Sequence, residues 1–133
     1  MARNETPPGA EKWVPSHPGG LDELKQAAAQ CKGCQLHEDA TQTVFGRGAP
    51  DARVVFVGEQ PGDVEDQQGL PFVGPAGRVL CDAVEEAGIE VPWVYITNAV
   101  TLFRRCSMGV KQRAAIGVSL AVPVGSARDG PLL

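Results

Sequence analysis

The 133-residue sequence has few aromatic residues, few histidines and no long hydrophobic run. Aromatic residues make up 5% of the chain, and both histidines lie within its first 37 residues. No segment approaches the roughly 20 consecutive apolar residues of a transmembrane helix, and the N-terminus lacks the apolar stretch of a signal peptide. We therefore expect a soluble, cytoplasmic protein with no membrane partner. The length is typical of one domain, because domains usually contain roughly 100–150 residues.

Acidic and basic residues are unevenly distributed along the chain. The formal net charge is −4, which argues against nucleic-acid binding through bulk charge alone. Residues 1–100 carry 7 basic and 15 acidic residues, a net of −8, whereas residues 101–133 carry 5 basic and 1 acidic residue, a net of +4. Any contact with DNA must therefore depend on local chemistry.

Two apolar segments separated by a helix predict a βαβ unit. Residues 54–57 form a continuous apolar run, which is typical of a strand buried on both faces in a parallel sheet. A helix begins at Pro75, ends near Gly88 and has an apolar face consisting of Val79, Leu80, Ala83, Val84 and Ala87. The β-branched and aromatic residues 93–97 predict the second strand. The predicted fold class is α/β with a parallel central sheet.

The domain boundaries follow from composition. Residues 1–20 contain several Pro and Gly breakers and predict a flexible leader. The predicted domain covers residues 21–103 and begins with a short amphipathic helix that leads to Cys31. Residues 104–133 show no clear element and stay unassigned.

Polar side chains follow both predicted strands. Glu59 and Gln60 come after the first strand, and Asn98 follows the second. In open parallel sheets, ligands bind beyond the carboxyl ends of the strands. A carboxylate and two amides at this edge can recognise a planar polar ligand such as a nucleobase.

The loop after the first strand contains four acidic residues within eight positions: Glu59, Asp63, Glu65 and Asp66. Such a cluster is unfavourable unless it is solvated, metal-bound or functional, and a solvated acidic turn and a functional loop are about equally well supported. Phe72 in the same loop fits either a core anchor or an aromatic lid, and the core position is the more common one.

The four cysteines indicate metal or redox chemistry, because a chain without an export signal is not expected to hold a disulfide framework. Cys31 and Cys34 form a C-x-x-C pair that fits an iron–sulfur cluster, a zinc site or a redox dithiol. Cys81, on the predicted helix, fits a buried or idle thiol. Cys106 is left open, and His37 is interpreted as a surface residue.

The segment GEQPGDVEDQQGLPFVGPAGRVL, followed by YITNAV, resembles the iron–sulfur uracil-DNA glycosylases. The upstream CKGC is similar to the same family, and Gln60 after the motif glutamate resembles the X-type branch. The resemblance covers about residues 21–100. It implies a three-layer α/β/α sandwich, excision of uracil from DNA during base excision repair, and a four-iron (4Fe–4S) cluster.

The resemblance also implies roles for individual residues. Phe72 would stack on a uracil flipped out of the DNA, and Asn98 would pair with the polar edge of that base. Glu59 would act as the catalytic group that positions water or stabilises the cationic sugar. The remaining implied roles are a substrate pocket shaped by Gly58, Gln60, Pro61, Gly62 and Asp63, and two cluster ligands, Cys31 and Cys34.

The resemblance ends just after Val100. No histidine follows His37, so the family's histidine motifs match no position in this chain. We therefore expect a truncated or frame-shifted chain that contains only the N-terminal half of the sandwich, with a tail at 104–133 that is foreign to the domain. Such a half-domain, a monomer acting on uracil-containing DNA, is expected to be marginally stable and weak or inactive.

Two other function classes are weighed against this interpretation. The alternative is a non-catalytic cysteine–metal module that binds nucleic acid or a protein partner. A generic nucleotide-binding domain is disfavoured, because neither G-x-G-x-x-G nor a P-loop follows the first strand.

Overall fold

The computed structural model describes residues 9–103 and 119–121. Cys106 and most of the tail assigned to residues 104–133 lie outside the described residues. Two 3₁₀ turns occur, at Glu11–Trp13 and Val91–Trp93. The helices and strands are, in chain order, α1 (Leu21–Gln30), α2 (Leu36–Asp39), β1 (Gly46–Gly48), β2 (Val54–Gly58), α3 (Asp63–Gln68), α4 (Pro75–Glu86), β3 (Val94–Asn98) and β4 (Ser119–Ala121).

The sheet is mixed, with the strand order β1-β3-β2-β4. The central pair β2 and β3 is parallel, as the βαβ interpretation predicts, with Val54 opposite Val94 and Gly58 opposite Asn98. Both outer strands run antiparallel to their neighbours. The prediction of a wholly parallel sheet is therefore wrong. The error arises in part because β1 was not predicted, since its Gly-Arg-Gly sequence contains no β-branched or aromatic residue that would indicate a strand.

The two central strands differ in burial. β3 alternates between buried and half-buried positions, with Val94, Ile96 and Asn98 buried. In β2 only Gly58 is buried, and the four apolar residues before it are half-buried. The prediction that residues 54–57 are buried on both faces is therefore too strong. The continuous apolar run identified the strand correctly but overstated how much of it is covered.

Helix α4 covers the parallel pair and forms the core. It begins at Pro75, where proline is tolerated because the first helical N–H has no partner within the helix. Val84 is buried against Val94 and Ile96, and Leu80 packs on the same cluster together with Phe56, Phe72 and Ile89. Val79, predicted on the apolar face, is 64% exposed. It lies one residue before Leu80, about 100° around the helix, so both side chains cannot point at the sheet.

Two further features of the fold were not predicted. Helix α3 lies in the loop that sequence analysis leaves without regular structure. At the other end of the described chain, the Gly9 amide donates a 3.0 Å hydrogen bond to the Gly33 carbonyl, so part of the predicted leader contacts the cysteine segment. None of the helices in the described part of the chain has both the length and the apolar character needed to cross a membrane.

Candidate functional site

The carboxyl ends of β2 and β3 lie side by side. Gly58 is opposite Asn98 in the parallel register. The pairing continues past both strands, because the Ala99 amide donates to the Gly58 carbonyl at 2.8 Å and the Val100 amide donates to the Glu59 carbonyl at 2.9 Å. The backbones at Glu59 and Asn98 are thus fixed at one edge of the sheet, as the sequence predicts.

Asn98 has a buried carboxamide oxygen that lacks a hydrogen-bond partner among the residues that the structure describes. The residue is 6% exposed, and no group in residues 9–103 or 119–121 donates to its Oδ1. Buried polar atoms in folded proteins nearly always have a partner, so this acceptor requires an explanation. An acceptor that is desolvated but unpaired is a favourable place for an N–H group of a bound ligand.

Gly58 lies directly against that carboxamide, and the Phe72 ring lies against the same glycine. A Cβ atom built at Gly58 would overlap Asn98 Oδ1 and would lie 2.6 Å and 2.8 Å from Phe72 Cζ and Cε2. The half-buried ring also packs on the hydrophobic core. The core position expected for Phe72 is therefore confirmed, and the tip of its ring also reaches Gly58 at the end of β2.

The backbone of Phe72 has an uncommon conformation. Its φ of +54° is the only positive φ at a non-glycine residue in the described part of the chain, and such a conformation costs on the order of 1–3 kcal/mol. Two contacts hold its carbonyl group. Arg47 Nη2 donates to it at 3.1 Å, and Gly77 in α4 approaches it so closely that a Cβ atom there would overlap the carbonyl oxygen.

Glu65 binds backbone amides at two places between β2 and α4. Its Oε1 accepts hydrogen bonds from the amides of Val73 (3.1 Å) and Gly74 (2.8 Å), and its Oε2 accepts one from the amide of Gly62 (3.2 Å). Glu65 is 8% exposed, so these three N–H groups replace the water that its carboxylate loses on burial.

Asp66 binds a different segment. Its side chain is fully buried and accepts hydrogen bonds from the backbone amides of Thr41 (2.9 Å) and Gln42 (3.4 Å). The four acidic residues of the loop therefore do not form one cluster. Glu65 and Asp66 are buried on backbone N–H groups, whereas Glu59 and Asp63 are exposed, so a solvated acidic turn does not describe all four residues.

The other predicted substrate residues line the start of α3. Glu59 is exposed, Gln60 is half-buried and Pro61 is buried. Gly62 precedes α3 as its N-cap. Asp63 is the first helical residue, and its Oδ2 accepts a 2.7 Å hydrogen bond from Gln67 Nε2 in the same helix. The structure thus places both Phe72 and Asn98 against Gly58 and the carboxylate of Asp63 against its own helix.

Cys31 and Cys34 are free, half-buried thiols. The Gly33 amide lies 3.4 Å from Cys31 Sγ and donates a hydrogen bond to it. Within the described residues, no three side chains of the metal-binding types lie together. A four-iron cluster needs about four thiolates, so the described residues fit one half of such a site. Cys81, predicted as a buried or idle thiol, is exposed.

Sequence reasoning missed Arg47 and Gly77 and gave Glu65 no role of its own. Two of these had a readable signal. Glu65 follows Gly62 by three residues, the spacing at which a glutamate bonds back to the N-cap amide of a helix. Gly77 lies inside a helix, where glycine costs about 1 kcal/mol relative to alanine and often marks a close backbone approach.

The structure also contains an apolar groove of about 990 Å³. It is lined by α4, β3, the turn between them, and Arg47 and Gly48 of β1, with Leu80, Val84 and Ile96 in its wall. Glu59, Phe72 and Asn98 are not part of its lining. Its wall offers few polar groups for recognising a base, so the sheet edge remains the candidate site.

Comparisons with known proteins place the chain among related sequences. The family model described as "Uracil DNA glycosylase superfamily" matches residues 45–123, a span that extends past Val100 and includes both loops of the sheet edge. The chain is 44% identical over 81 residues to the type-4 uracil-DNA glycosylase of Sulfurisphaera tokodaii, which covers 60% of this chain and 37% of the relative.

Two further relatives carry the same name. The type-4 uracil-DNA glycosylase of Thermotoga maritima is 44% identical over 80 residues (60% of this chain, 42% of the relative). That of Archaeoglobus fulgidus is 42% identical over 80 residues (60% and 40%). The matches span about two-fifths of these curated relatives. Because the family model matches more than half of the chain, the protein belongs to the uracil DNA glycosylase superfamily.

Proposed function

We propose that this chain recognises a uracil flipped out of DNA and takes part in cleavage of its N-glycosidic bond, as a base-excision DNA repair glycosylase. The observation that carries the proposal is the buried, unpaired Oδ1 of Asn98 beside the Phe72 ring. The names of the relatives, which are uracil-DNA glycosylases, support the same reaction.

Asn98 recognises the polar edge of uracil. Uracil presents an N3–H donor next to the O4 acceptor, so Oδ1 accepts from N3–H while the Nδ2 group donates to O4. Cytosine presents an acceptor at N3 and a donor at N4, so it faces the same carboxamide with both positions mismatched. A buried polar group left unpaired costs about 1–3 kcal/mol, and this penalty favours uracil.

Phe72 and Glu59 act on the two parts of the flipped nucleotide. The Phe72 ring stacks on the face of the base, an interaction worth about 1–3 kcal/mol. The Glu59 carboxylate faces solvent at the same edge, where it can hold a water molecule or stabilise positive charge on the sugar as uracil leaves as an anion. Gly58, Gln60, Pro61, Gly62 and Asp63 form the rim through which the nucleotide enters.

Cys31 and Cys34 are proposed to supply two ligands of an iron–sulfur cluster, the 4Fe–4S type implied by the resemblance. Their free thiols and the Gly33 amide that donates to Cys31 Sγ support thiolate ligation. The cluster, when bound, would supply structural cross-linking of this segment. Every step at the base is assigned to Glu59, Phe72 and Asn98, and none is routed through the metal.

We also propose an architecture, a partner and a cellular location for the protein. The parallel pair with α4 packed on it supports a three-layer α/β/α sandwich that carries antiparallel outer strands. Uracil-containing DNA is the proposed partner, and the protein is proposed to act as a cytoplasmic monomer. The boundaries at residues 20 and 103 stay predictions.

The test is release of uracil from a single-stranded oligonucleotide with one uracil, under single-turnover conditions with the complete 133-residue chain reconstituted with iron and sulfide. We expect release that is slow but above background and that is lost in Glu59→Gln. Glu86→Ala, which removes one exposed acidic side chain of α4, is the matched control and should behave as the unchanged chain.

Two results would contradict the proposal. Equal release by the unchanged chain and Glu59→Gln would remove Glu59 from the reaction. DNA binding that is the same with and without uracil, and that is insensitive to Glu59→Gln and Asn98→Ala, would favour the non-catalytic cysteine–metal module instead.

A further inference from the structure

One buried carboxylate, that of Glu65, binds the segment that carries Phe72. Glu65 lies on α3, and its two oxygens accept three backbone N–H groups on two different segments. Two of these amides, at Val73 and Gly74, immediately follow Phe72. The third, at Gly62, belongs to the loop that follows Glu59. Glu65 is therefore the link between the loop of the proposed catalytic acid and the loop of the proposed stacking ring.

The glycines around this carboxylate leave room for it. A Cβ atom at Gly62 would lie 2.7 Å from Glu65 Oε2, and one at Gly74 would lie 3.1 Å from Oε1. Side chains at either position would push the carboxylate away from the amides that it binds. The sequence thus places glycine at the two positions where the approach of Glu65 requires it.

The conformation of Phe72 needs such support. A non-glycine residue with φ near +54° persists only where the surrounding structure fixes it. Arg47 binds the Phe72 carbonyl, and Gly77 packs against the same group. The bonds from Glu65 fix the next two amides and so define the direction in which the chain leaves Phe72 toward α4.

We propose that Glu65 is a positioning residue, which holds Phe72 in its left-handed backbone conformation so that the ring tip reaches Gly58 and Asn98. The functional consequence of this positioning, the stacking of the ring on a flipped base, rests on the proposed function. The positioning itself is a property of the free protein and can be measured without DNA.

The first measurement is the sign of φ at Phe72, obtained from the three-bond HN–Hα coupling and the intraresidue HN–Hα Overhauser effect. The unchanged chain should show a positive φ, and Glu65→Ala a negative or averaged one. Glu65→Gln keeps one oxygen for the Val73 and Gly74 amides and should keep the positive φ. Glu86→Ala removes the same charge from an exposed position and should change nothing.

The second measurement is the affinity ratio between single-stranded oligonucleotides that differ only in uracil or an abasic site at one position. Glu65→Ala and Phe72→Ala should each reduce the preference for the uracil strand by about 5- to 150-fold, the range expected for loss of one stacked base. The double variant should lose no more than Phe72→Ala alone, because Glu65 acts through the ring.

The outcomes separate the two claims. A positive φ at Phe72 in Glu65→Ala, or losses that multiply in the double variant, would overturn the positioning role. Absence of any uracil preference in the unchanged chain would refute the proposed function, while the φ measurement would still decide the role of Glu65. If Glu65→Ala fails to fold, Glu65→Gln decides, since loss of the positive φ despite a retained oxygen acceptor would count against the inference.

Discussion

Gly58→Ala inserts one methyl group into the contact on which the candidate site depends. The added carbon would lie 2.6 Å from Phe72 Cζ and would overlap Asn98 Oδ1. Because carbon atoms normally approach to about 3.5–4.0 Å, the ring must retreat by about 1 Å. Asn98 cannot move as a whole, since its backbone is held in the parallel register opposite Gly58. Gly58 does not have a positive φ, so the effect is steric and not a matter of backbone strain.

The expected result of Gly58→Ala has two parts. Overpacking of this kind costs about 1–3 kcal/mol in the free energy of unfolding, which urea titration measures. Displacement of the ring should also reduce the preference for uracil over an abasic site by about 5- to 150-fold. Gly19→Ala is the control, because its added carbon would meet only the flexible carboxylate of Glu23 at 3.1 Å.

An unchanged free energy of unfolding together with an unchanged preference for uracil in Gly58→Ala would contradict the proposed role of this contact. A variant that loses stability but retains the full preference for uracil would contradict it as well. In that case the contact would belong to the core alone, and the Phe72 ring would have no part in recognising the base.

Three other predictions concern Gly77, Asp66 and Tyr95. Gly77→Ala should lower the free energy of unfolding by about 1–3 kcal/mol, measured by urea titration, because its Cβ would overlap the Phe72 carbonyl. Asp66→Ala should cost about 1–3 kcal/mol by the same assay, because two amides lose their acceptor. Burial raises the pKa of Tyr95, so the stability it contributes is complete below pH 10 and is lost as the pH rises through the higher folded-state pKa. Tyr95 is the only tyrosine, so tyrosinate absorbance should titrate above the ordinary pKa of tyrosine. Tyr95→Phe should remove this part of the loss of stability at alkaline pH. Titration of Tyr95 at the ordinary pKa would contradict the prediction.

The βαβ unit could be predicted from sequence because its signals are local. Apolar runs define β2 and β3, and Pro75 and Gly88 mark the ends of α4. The convergence of Glu59 and Asn98 at one sheet edge followed from parallel pairing alone. The placement of the Phe72 ring against Gly58 could not be predicted in this way, because it depends on a left-handed backbone conformation that the sequence around a phenylalanine does not signal.

The mixed sheet and the buried acids could not be predicted, for different physical reasons. β1 is stabilised by pairing with β3 and not by the propensity of its Gly-Arg-Gly sequence. Glu65 and Asp66 have the composition of a solvated turn, and their burial depends on amides that are distant in the chain, such as that of Thr41. Charge composition indicates only that buried acids need partners, and the fold determines which partners they find.

The account depends most directly on the unpaired oxygen of Asn98, and one comparison of affinities tests it. Single-stranded oligonucleotides that differ only in uracil or cytosine at one position are titrated with the unchanged chain and with Asn98→Ala. We predict that the unchanged chain prefers uracil by about tenfold or more, since cytosine leaves the buried oxygen without a donor, and that Asn98→Ala abolishes the preference. Equal affinity for the two strands, or a preference that survives Asn98→Ala, would contradict the account.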